Sequence, residues 1–568
     1  MKEVISPMDI QMDELIEQLT STGSMYEVEN QTIEGIEYQI FKHLPQNLNA
    51  LYQMGNQFAQ QPFLIRNDSS LTFEETLTHV EKLAKILIEK FGLKKGDRVG
   101  LAMRNSPMWC LAFMAITIAG GIVVAMNSWW KSRELEFAMK DTLPTILFAD
   151  NQRFKYLENY LNTTNIHTII DYQTTEQVNG VSYIDNLLEN NYLPTALLPD
   201  IQQEDDAVIF YTSGSTGTPK GALSTHRMLL TTLFSWGLTA TAYSMLDNKD
   251  DDLTKNQLAV LVCLPLFHVT ACYNTFLLSI AIGRKLVFLD KWDVDEAMNI
   301  IEKDKITHFI GVPTMSYELL HAEHRSNYDL SSLVDISGGG AARPASQVKE
   351  IHDAFNISLC TGYGLTETNA LGCVNGGDNY LNKPTSVGKA TFPTVQIKII
   401  DEKHNALQPN EIGEILIKSA SNIKGYWNNE AATKALFIDG WLITGDIGYL
   451  DEQGYLYIVD RKKDIVIRGG ENISTLEVET SIAEHPLVKE VSVFGIPEER
   501  LGEILIAIVV THNSKTLDAI TIKNFLSENV AHYKVPANII VMNDNLLRGA
   551  TGKVDKLNIR KNYIQQNS

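Results

Sequence analysis

Residues 211–221 read Tyr-Thr-Ser-Gly-Ser-Thr-Gly-Thr-Pro-Lys-Gly, a stretch well furnished to hold an anion. It carries three glycines, Gly214, Gly217 and Gly221, and five hydroxyl side chains, Thr212, Ser213, Ser215, Thr216 and Thr218. Lys220 adds a positive charge. Glycines let backbone N–H groups turn toward an anion, and hydroxyls supply further donors. The composition predicts a phosphate cradle. It is not a Walker loop, which ends in Gly-Lys-Ser/Thr; here Lys220 follows a proline and precedes a glycine. The flanks predict the elements that position it. Ala207-Val208-Ile209-Phe210 is apolar and reads as a buried strand, and the run from His226 reads as a helix. A flexible Gly/Ser surface loop explains a four-residue match, but eleven residues in this order explain more.

Other segments downstream are chemically equipped. The apolar run 258–268 ends in Pro-Leu-Phe-His. A histidine there reads first as a core residue, and its place at a strand end adds a functional option. Ser337-Gly338-Gly339-Gly340-Ala341-Ala342 is small enough for a flat ring to lie on its backbone, or for a tight turn. Thr361-Gly362-Tyr363-Gly364-Leu365-Thr366-Glu367-Thr368, Gly440 to Asp446 (GWLITGD), Asp460 to Asp464 (DRKKD) and Thr551-Gly552-Lys553 follow. Alone, the DRKKD segment is a charged loop and Lys553 a surface lysine.

Taken in order, these segments resemble the acyl-adenylate-forming enzymes: acyl-CoA synthetases, aryl-CoA ligases, beetle luciferases and peptide-synthetase adenylation domains. The resemblance spans roughly residues 60–560, with each core motif in sequence. It implies an ATP site in which Thr212, Ser213, Gly214, Ser215, Thr216, Gly217, Thr218 and Lys220 cradle phosphates. Gly339, Gly340 and Ala341 would border the adenine, on which Tyr363, beside Gly364, would stack. Thr366 would donate to a phosphoryl oxygen and Glu367 would hold Mg²⁺, a hard cation that prefers oxygen ligands. Asp446, an acceptor-only carboxylate, suits the ribose hydroxyls, and Arg461 matches a ribose-contacting arginine. Lys463 matches the hinge and Lys553 the catalytic lysine. The turn GGEN (469–472) fits a coenzyme A-side loop.

His268, Gly338 and Cys272 would border the acyl pocket. Amino-acid-activating relatives place an aspartate where this chain has His268, which disfavours an amino-acid substrate. Some long-chain enzymes carry a tryptophan gate at the place of Cys272, so that gate is absent. The implied reaction converts a carboxylic acid, expected to be a medium- or long-chain fatty acid, to acyl-AMP and then to acyl-CoA. Its small molecules are ATP, Mg²⁺ and coenzyme A. The alternatives are a ligase charging a carrier protein and a non-catalytic AMP-binding regulatory protein. No carrier-type GxxS segment follows Lys553, and retention of Lys553, Glu367 and Asp446 disfavours the binder.

At 568 residues the chain exceeds one core. Alternating strand and helix patterns predict an α/β architecture: a large N-terminal domain of mostly parallel sheets over 1–462, and a small mobile α+β C-terminal domain over 463–568. Thr72 and Glu75 form a predicted capping box, with Leu77, Val80, Ala84 and Leu87 on one helical face. The formal net charge of −21 argues against nucleic acid, which demands a basic face. Five cysteines without a CxxC pair predict free thiols in a reducing, cytoplasmic setting. A homodimer is an admissible assembly. Residues 109–126 approach membrane-span length, but Gly120-Gly121 splits them into a buried helix and a β-branched strand, so no transmembrane span is expected. Residues 241–257 are polar and acidic and read as a solvated loop.

Overall fold

The computed structural model describes residues 6–171, 181–189, 191–212, 219–247, 257–340, 343–468, 471–512, 517–549 and 553–567. Two large sheets form its main body. The first has eight strands, with a parallel centre of Asp206–Thr212, Ile122–Ala125, Arg98–Ala102, Ile146–Asp150 and His167–Asp171. The second has nine strands. There His308–Gly311, Asp335–Gly339 and Ser358–Tyr363 run parallel and side by side. Helices cover these sheets, as the strand–helix alternation predicts.

The apolar stretch after residue 106 shows how local signals set the pattern. Ser106 Oγ accepts the N–H of Trp109, and Pro107 occupies the first turn of helix Pro107–Ile118. Trp109 through Thr117 are buried all round the helix. Gly120 then takes a left-handed φ of +81°, which stops the helix, and Ile122–Ala125 follows as a central parallel strand. Among the described residues no helix is long and apolar enough to cross a membrane. The capping box of Thr72 and Glu75 is formed, and Val80, Ala84 and Leu87 lie on the buried face of helix Phe73–Glu89.

An antiparallel sheet of Val395–Ile400, Gly413–Ser419, Phe437–Ile438, Trp441–Leu450 and Leu456–Arg461 carries Asp446 opposite Arg461. A small C-terminal domain follows, with its own five-stranded sheet. Its longest strands are Val488–Glu498 and Gly502–Thr511, and its core includes Val478, Ile482, Val493, Leu505 and Ile522. Helix Thr475–Ala483 of this domain is anchored to strand Leu456–Arg461. Asp460 Oδ2 accepts the N–H of Thr475 at 2.5 Å, its hydroxyl at 3.0 Å and the N–H of Leu476 at 3.2 Å. Ser474 Oγ donates to the Val459 carbonyl at 2.7 Å.

One local reading changes. Of the loop expected over 241–257, residues 241–247 continue helix His226–Asp247, with Tyr243 against Gly376, and residues 248–256 lie outside the described residues. Strand Lys220–Thr225 precedes that helix and pairs antiparallel with Asp206–Thr212. Of the expected GGEN turn, Gly469 and Gly470 lie outside the described residues, while Glu471 and Asn472 belong to strand Glu471–Ile473.

Ser474 is the N-cap of Thr475–Ala483, its Oγ accepting the N–H of Glu477; Asp460→Ala removes the second, buried acceptor of the first-turn N–H groups and is expected to cost about 1–3 kcal/mol. The measurement is urea unfolding followed by a probe in the C-terminal domain. An unchanged profile would show that Asp460 does not anchor this helix.

Candidate active site

The site forms where carboxyl ends of parallel strands from both large sheets meet, the usual place for a ligand crevice in an α/β sheet. Strand Asp206–Thr212 ends at Thr212, where the glycine- and hydroxyl-rich segment begins. Ser213, Gly214, Ser215, Thr216, Gly217 and Thr218 lie outside the described residues, as does Ala341. Lys220 opens the returning strand, opposite Thr212. Gly338 and Gly339 end strand Asp335–Gly339 and pair with Thr361 and Gly362, just before Tyr363. This segment is therefore a strand end, with Gly340 (φ +79°) turning out of it.

Gly364, Thr366 and Glu367 follow Tyr363 in a tight turn. A Cβ on Gly364 would stand 2.5 Å from the carbonyl carbon of Ala370, so only glycine fits. The Leu365 N–H donates to Thr368 Oγ1 at 2.9 Å, and Asn369 and Ala370 both take positive φ. Asn369 is buried and tied on three sides. Its Oδ1 accepts from Ser224 Oγ at 3.0 Å and from the Tyr273 hydroxyl at 2.8 Å, and its Nδ2 donates to the Ser421 carbonyl at 2.6 Å. These bonds fix the turn that presents Thr366 and Glu367.

Tyr426 is a residue that sequence reasoning missed. Strand Gly425–Tyr426 pairs with Lys220–Thr225. The Tyr426 hydroxyl donates to Glu367 Oε1 at 2.7 Å, and Lys220 Nζ lies 4.9 Å from the centre of the Tyr426 ring. One tyrosine thus orients the carboxylate and receives the lysine on its face. Nothing local marks it; the signal is a strand pairing some 200 residues apart in sequence.

Asp446 is 4% exposed. The Tyr363 hydroxyl donates to its Oδ2 at 2.6 Å, and Arg461 Nε is 3.3 Å from its Oδ1. Burial pushes the Asp446 carboxyl above its ordinary range, against the opposing pull of Arg461, Tyr363 and Lys553. Lys553 arrives from the C-terminal domain. A Cβ on Gly340 would stand 2.8 Å from Lys553 Cε and 3.0 Å from Nζ. The ammonium end of the lysine therefore rests on the bare α-carbon of that glycine. Much of the side chain stays open to the cleft, while protein crowds its tip. Desolvation, and then the charge of Arg461, lower the Lys553 ammonium to about 8, with Asp446 pulling the other way.

His268 lies close enough for the same lysine to act on it. Burial first, and then Lys553, lower its imidazolium to about 3, so the ring is neutral at pH 7. Its Nε2 is buried and finds no hydrogen-bond partner among the described residues. An orphaned buried nitrogen of this kind suits a ligand group. Cys272 is fully buried in the turn of helix that follows, packed in the main core. Gly338 faces the buried Arg343, whose Nη2 would stand 2.7 Å from an added Cβ. Lys463 is exposed, three residues beyond the Asp460 anchor.

The structure therefore brings Gly340, Tyr363, Asp446, Arg461, His268 and Lys553 to one crevice, with Lys220, Tyr426 and Glu367 in a second connected group. Among the described residues no cluster of three or more His, Cys, Asp or Glu could hold a metal ion alone. Glu367 offers one oriented carboxylate, which fits a Mg²⁺ taking its other oxygens from a nucleotide and water.

Residues 51–427 match the AMP-binding enzyme family, and residues 477–553 match the AMP-binding enzyme C-terminal domain. The chain belongs to the AMP-binding enzyme family. It is 34% identical over 515 residues to a long-chain-fatty-acid–CoA ligase of Bacillus subtilis, covering 85% of this chain and 88% of that one. It is 30% identical over 494 residues to an indoleacetate–CoA ligase of Aromatoleum aromaticum, covering 87% and 93%. Among solved structures it resembles o-succinylbenzoate CoA synthetase of Bacillus subtilis in complex with its acyl-adenylate intermediate. That match has a TM-score of 0.77 and 28% identity, over 91% of this chain and 98% of the other.

Gly340→Ala would place a methyl group against Lys553 on a left-handed backbone. Strain of about 1–3 kcal/mol and a displaced ammonium are expected. ATP–pyrophosphate exchange should slow by about tenfold or more. Exchange at the wild-type rate would show that the lysine does not need this glycine.

Proposed function

We propose that the protein is an AMP-forming acid–CoA ligase acting on a medium- or long-chain fatty acid. The observation that carries the reading is the placement of Lys553. A lysine from a separate small domain is set in the crevice between Gly340, Asp446 and Arg461, and a binding protein has no need of it. The family match and the CoA-ligase relatives support the reaction class. The fatty-acid assignment draws on the Bacillus subtilis relative and on Cys272, which removes a bulky group from the expected pocket.

In the first half-reaction a carboxylate oxygen attacks the α-phosphorus of ATP. The bond to the pyrophosphate oxygen breaks, leaving acyl-AMP. Negative charge grows on the phosphoryl and bridging oxygens. Lys553, Lys220, Thr366 and the donors of 212–218 act where that charge develops. Mg²⁺ bound at Glu367 would supply Lewis-acid stabilisation of the phosphates. Asp446 accepts from the ribose hydroxyls, with Arg461 beside it, and Tyr363 covers the adenine.

His268, neutral and with an unpartnered Nε2, acts as a hydrogen-bonding group for the acid's head. With its pKa near 3 it is a poor proton acceptor at pH 7. In the second half-reaction the thiolate of coenzyme A attacks the acyl carbonyl carbon, and the bond to AMP breaks. The chain is taken to divide at 462/463, and rotation about Lys463 would withdraw Lys553 and admit the thiol. On that division the Asp460 bonds to Thr475 and Leu476 cross the hinge and must open.

Lys553→Ala is expected to slow ATP–pyrophosphate exchange by about 10²–10³, while conversion of supplied acyl-adenylate and coenzyme A to thioester persists. Equal losses in both assays would end the proposed division of labour. The lysine also sets a pH limb. Its lowered pKa keeps it charged below about 8 and neutral above. The kcat/KM for ATP in exchange, which reports the free enzyme, should therefore decline as pH rises through about 8, and Lys553→Arg, which stays charged, should lose that limb.

A panel of acids from short to long, with aromatic acids included, tests the substrate. The highest kcat/KM is expected for a medium- or long-chain fatty acid. A maximum for an aromatic or short acid would reject the assignment. Thioester formed only with a carrier protein, and none with free coenzyme A, would favour the carrier-charging alternative.

A further inference from the structure

Lys553 reaches Gly340 only while the C-terminal domain is seated on the N-terminal one, and one of the seating contacts is aromatic. Helix Pro313–Leu320 follows strand His308–Gly311 and lies near the site: Ser316 Oγ accepts from Arg343 Nη1 at 3.0 Å, and Arg343 in turn backs Gly338. Tyr317, the next residue, stacks on His321 with ring centres 4.1 Å apart and on His512 at 6.0 Å, with interplanar angles of 26° and 29°. The Tyr317 hydroxyl and His512 Nε2 are 3.3 Å apart. His321 is braced from behind. Its Nδ1 lies 3.0 Å from the Tyr317 carbonyl, and its Nε2 lies 3.1 Å from Glu350 Oε1 on helix Ala345–Phe355. His512 follows strand Gly502–Thr511, and its N–H donates to the Leu487 carbonyl at 3.1 Å. The Tyr317 ring is thus backed by His321 of its own domain, and the backbone of His512 is fixed to Leu487 in the other.

We propose that Tyr317 and His512 form a latch that holds the two domains in the arrangement placing Lys553 on Gly340. They are positioning residues for adenylate formation and not for thioester formation; the proposal rests on the two-half-reaction reading above. Neither residue is among the groups assigned to ATP or the acid, so they act through Lys553. A contact between two moving bodies biases only the population of the arrangement in which it is made. Losing it lowers the fraction of molecules with Lys553 in place, and the rate of the step that uses Lys553 falls with that fraction. Both residues are half-buried, so truncation leaves each domain's core intact.

The experiment measures the half-reactions separately in Tyr317→Ala, His512→Ala and Tyr317→Phe. ATP–pyrophosphate exchange should slow about three- to tenfold in the two alanine variants, the size expected for one aromatic contact. Tyr317→Phe, which keeps the stack, should recover most of the loss. Thioester release from supplied acyl-adenylate and coenzyme A should be unchanged or faster in all three. Equal slowing of both half-reactions, or undiminished exchange in both alanine variants, would overturn the latch.

A second measurement needs no substitution-induced loss. Tyr317→Cys/His512→Cys joined by a short bis-maleimide should retain pyrophosphate exchange and lose multiple-turnover thioester formation. Sustained thioester turnover by the joined protein would overturn the proposal, as would failure of the cysteines to join at all. A wild-type protein performing neither half-reaction would instead reject the ligase reading. The cross-linking yield would still report on the contact: efficient joining supports the seating, and none overturns it.

Discussion

A lysine ammonium resting on a bare glycine α-carbon is the contact on which the rest of this structure depends. The cation is carried by the small C-terminal domain and enters the crevice of the N-terminal one. Its approach needs a partner surface without a Cβ, and Gly340 supplies one on a left-handed backbone that other residues adopt poorly. The second large sheet exists around this point in a literal sense. Gly340 leaves the end of one parallel strand while Tyr363 ends its neighbour, and the two meet at the same height because the strands are in register.

Charge at the site is balanced rather than abundant. The chain as a whole is strongly acidic, yet Lys220, Arg461 and Lys553 converge near the crevice. Each meets a specific counter-group. Asp446 faces Arg461 and acts on Lys553, while Lys220 lies over the ring of Tyr426, which is bonded to Glu367. Burial raises the carboxyl of Asp446 and lowers the ammonium of Lys553, so both are pushed toward neutrality. An incoming anion would favour the charged form of Lys553, and its cation the charged form of Asp446. The site as folded is a poor place for isolated charges and a better one for a polyanion with its cation.

The same economy governs the domain seating. Asp460 accepts first-turn N–H groups of a helix of the C-terminal domain, and Tyr317 stacks on His512, each through a small number of directional contacts. Interfaces of this kind, small and polar, hold two domains together weakly. A large apolar interface would hold Lys553 better and release it worse.

Much of this was legible in the chain itself. The segment 211–221, the glycine run 338–340 and the TGYGLTET turn could be picked out because their chemistry lies in contiguous residues of glycine, hydroxyl and charge; Lys553, alone a surface lysine, was picked out only through the resemblance of the whole series of motifs. The helix–turn–strand at 107–125 was legible for a similar reason: a proline start and a glycine stop are written locally. Other features were decided only by tertiary structure. Tyr426 gains its role from a strand pairing across the chain, and Tyr317 and His512 from the docking of two domains. The helix through 241–247 persists because Tyr243 packs on Gly376, although its composition reads as a loop. His268 looked like a core histidine or a catalytic one; burial and the nearby Lys553, which no sequence spacing encodes, make it a neutral ring. The sequence by itself determines what can form locally, because glycine, proline and capping residues act on their own neighbours. Only the tertiary structure decides which distant groups share a low-dielectric crevice, and hence which of them remain charged.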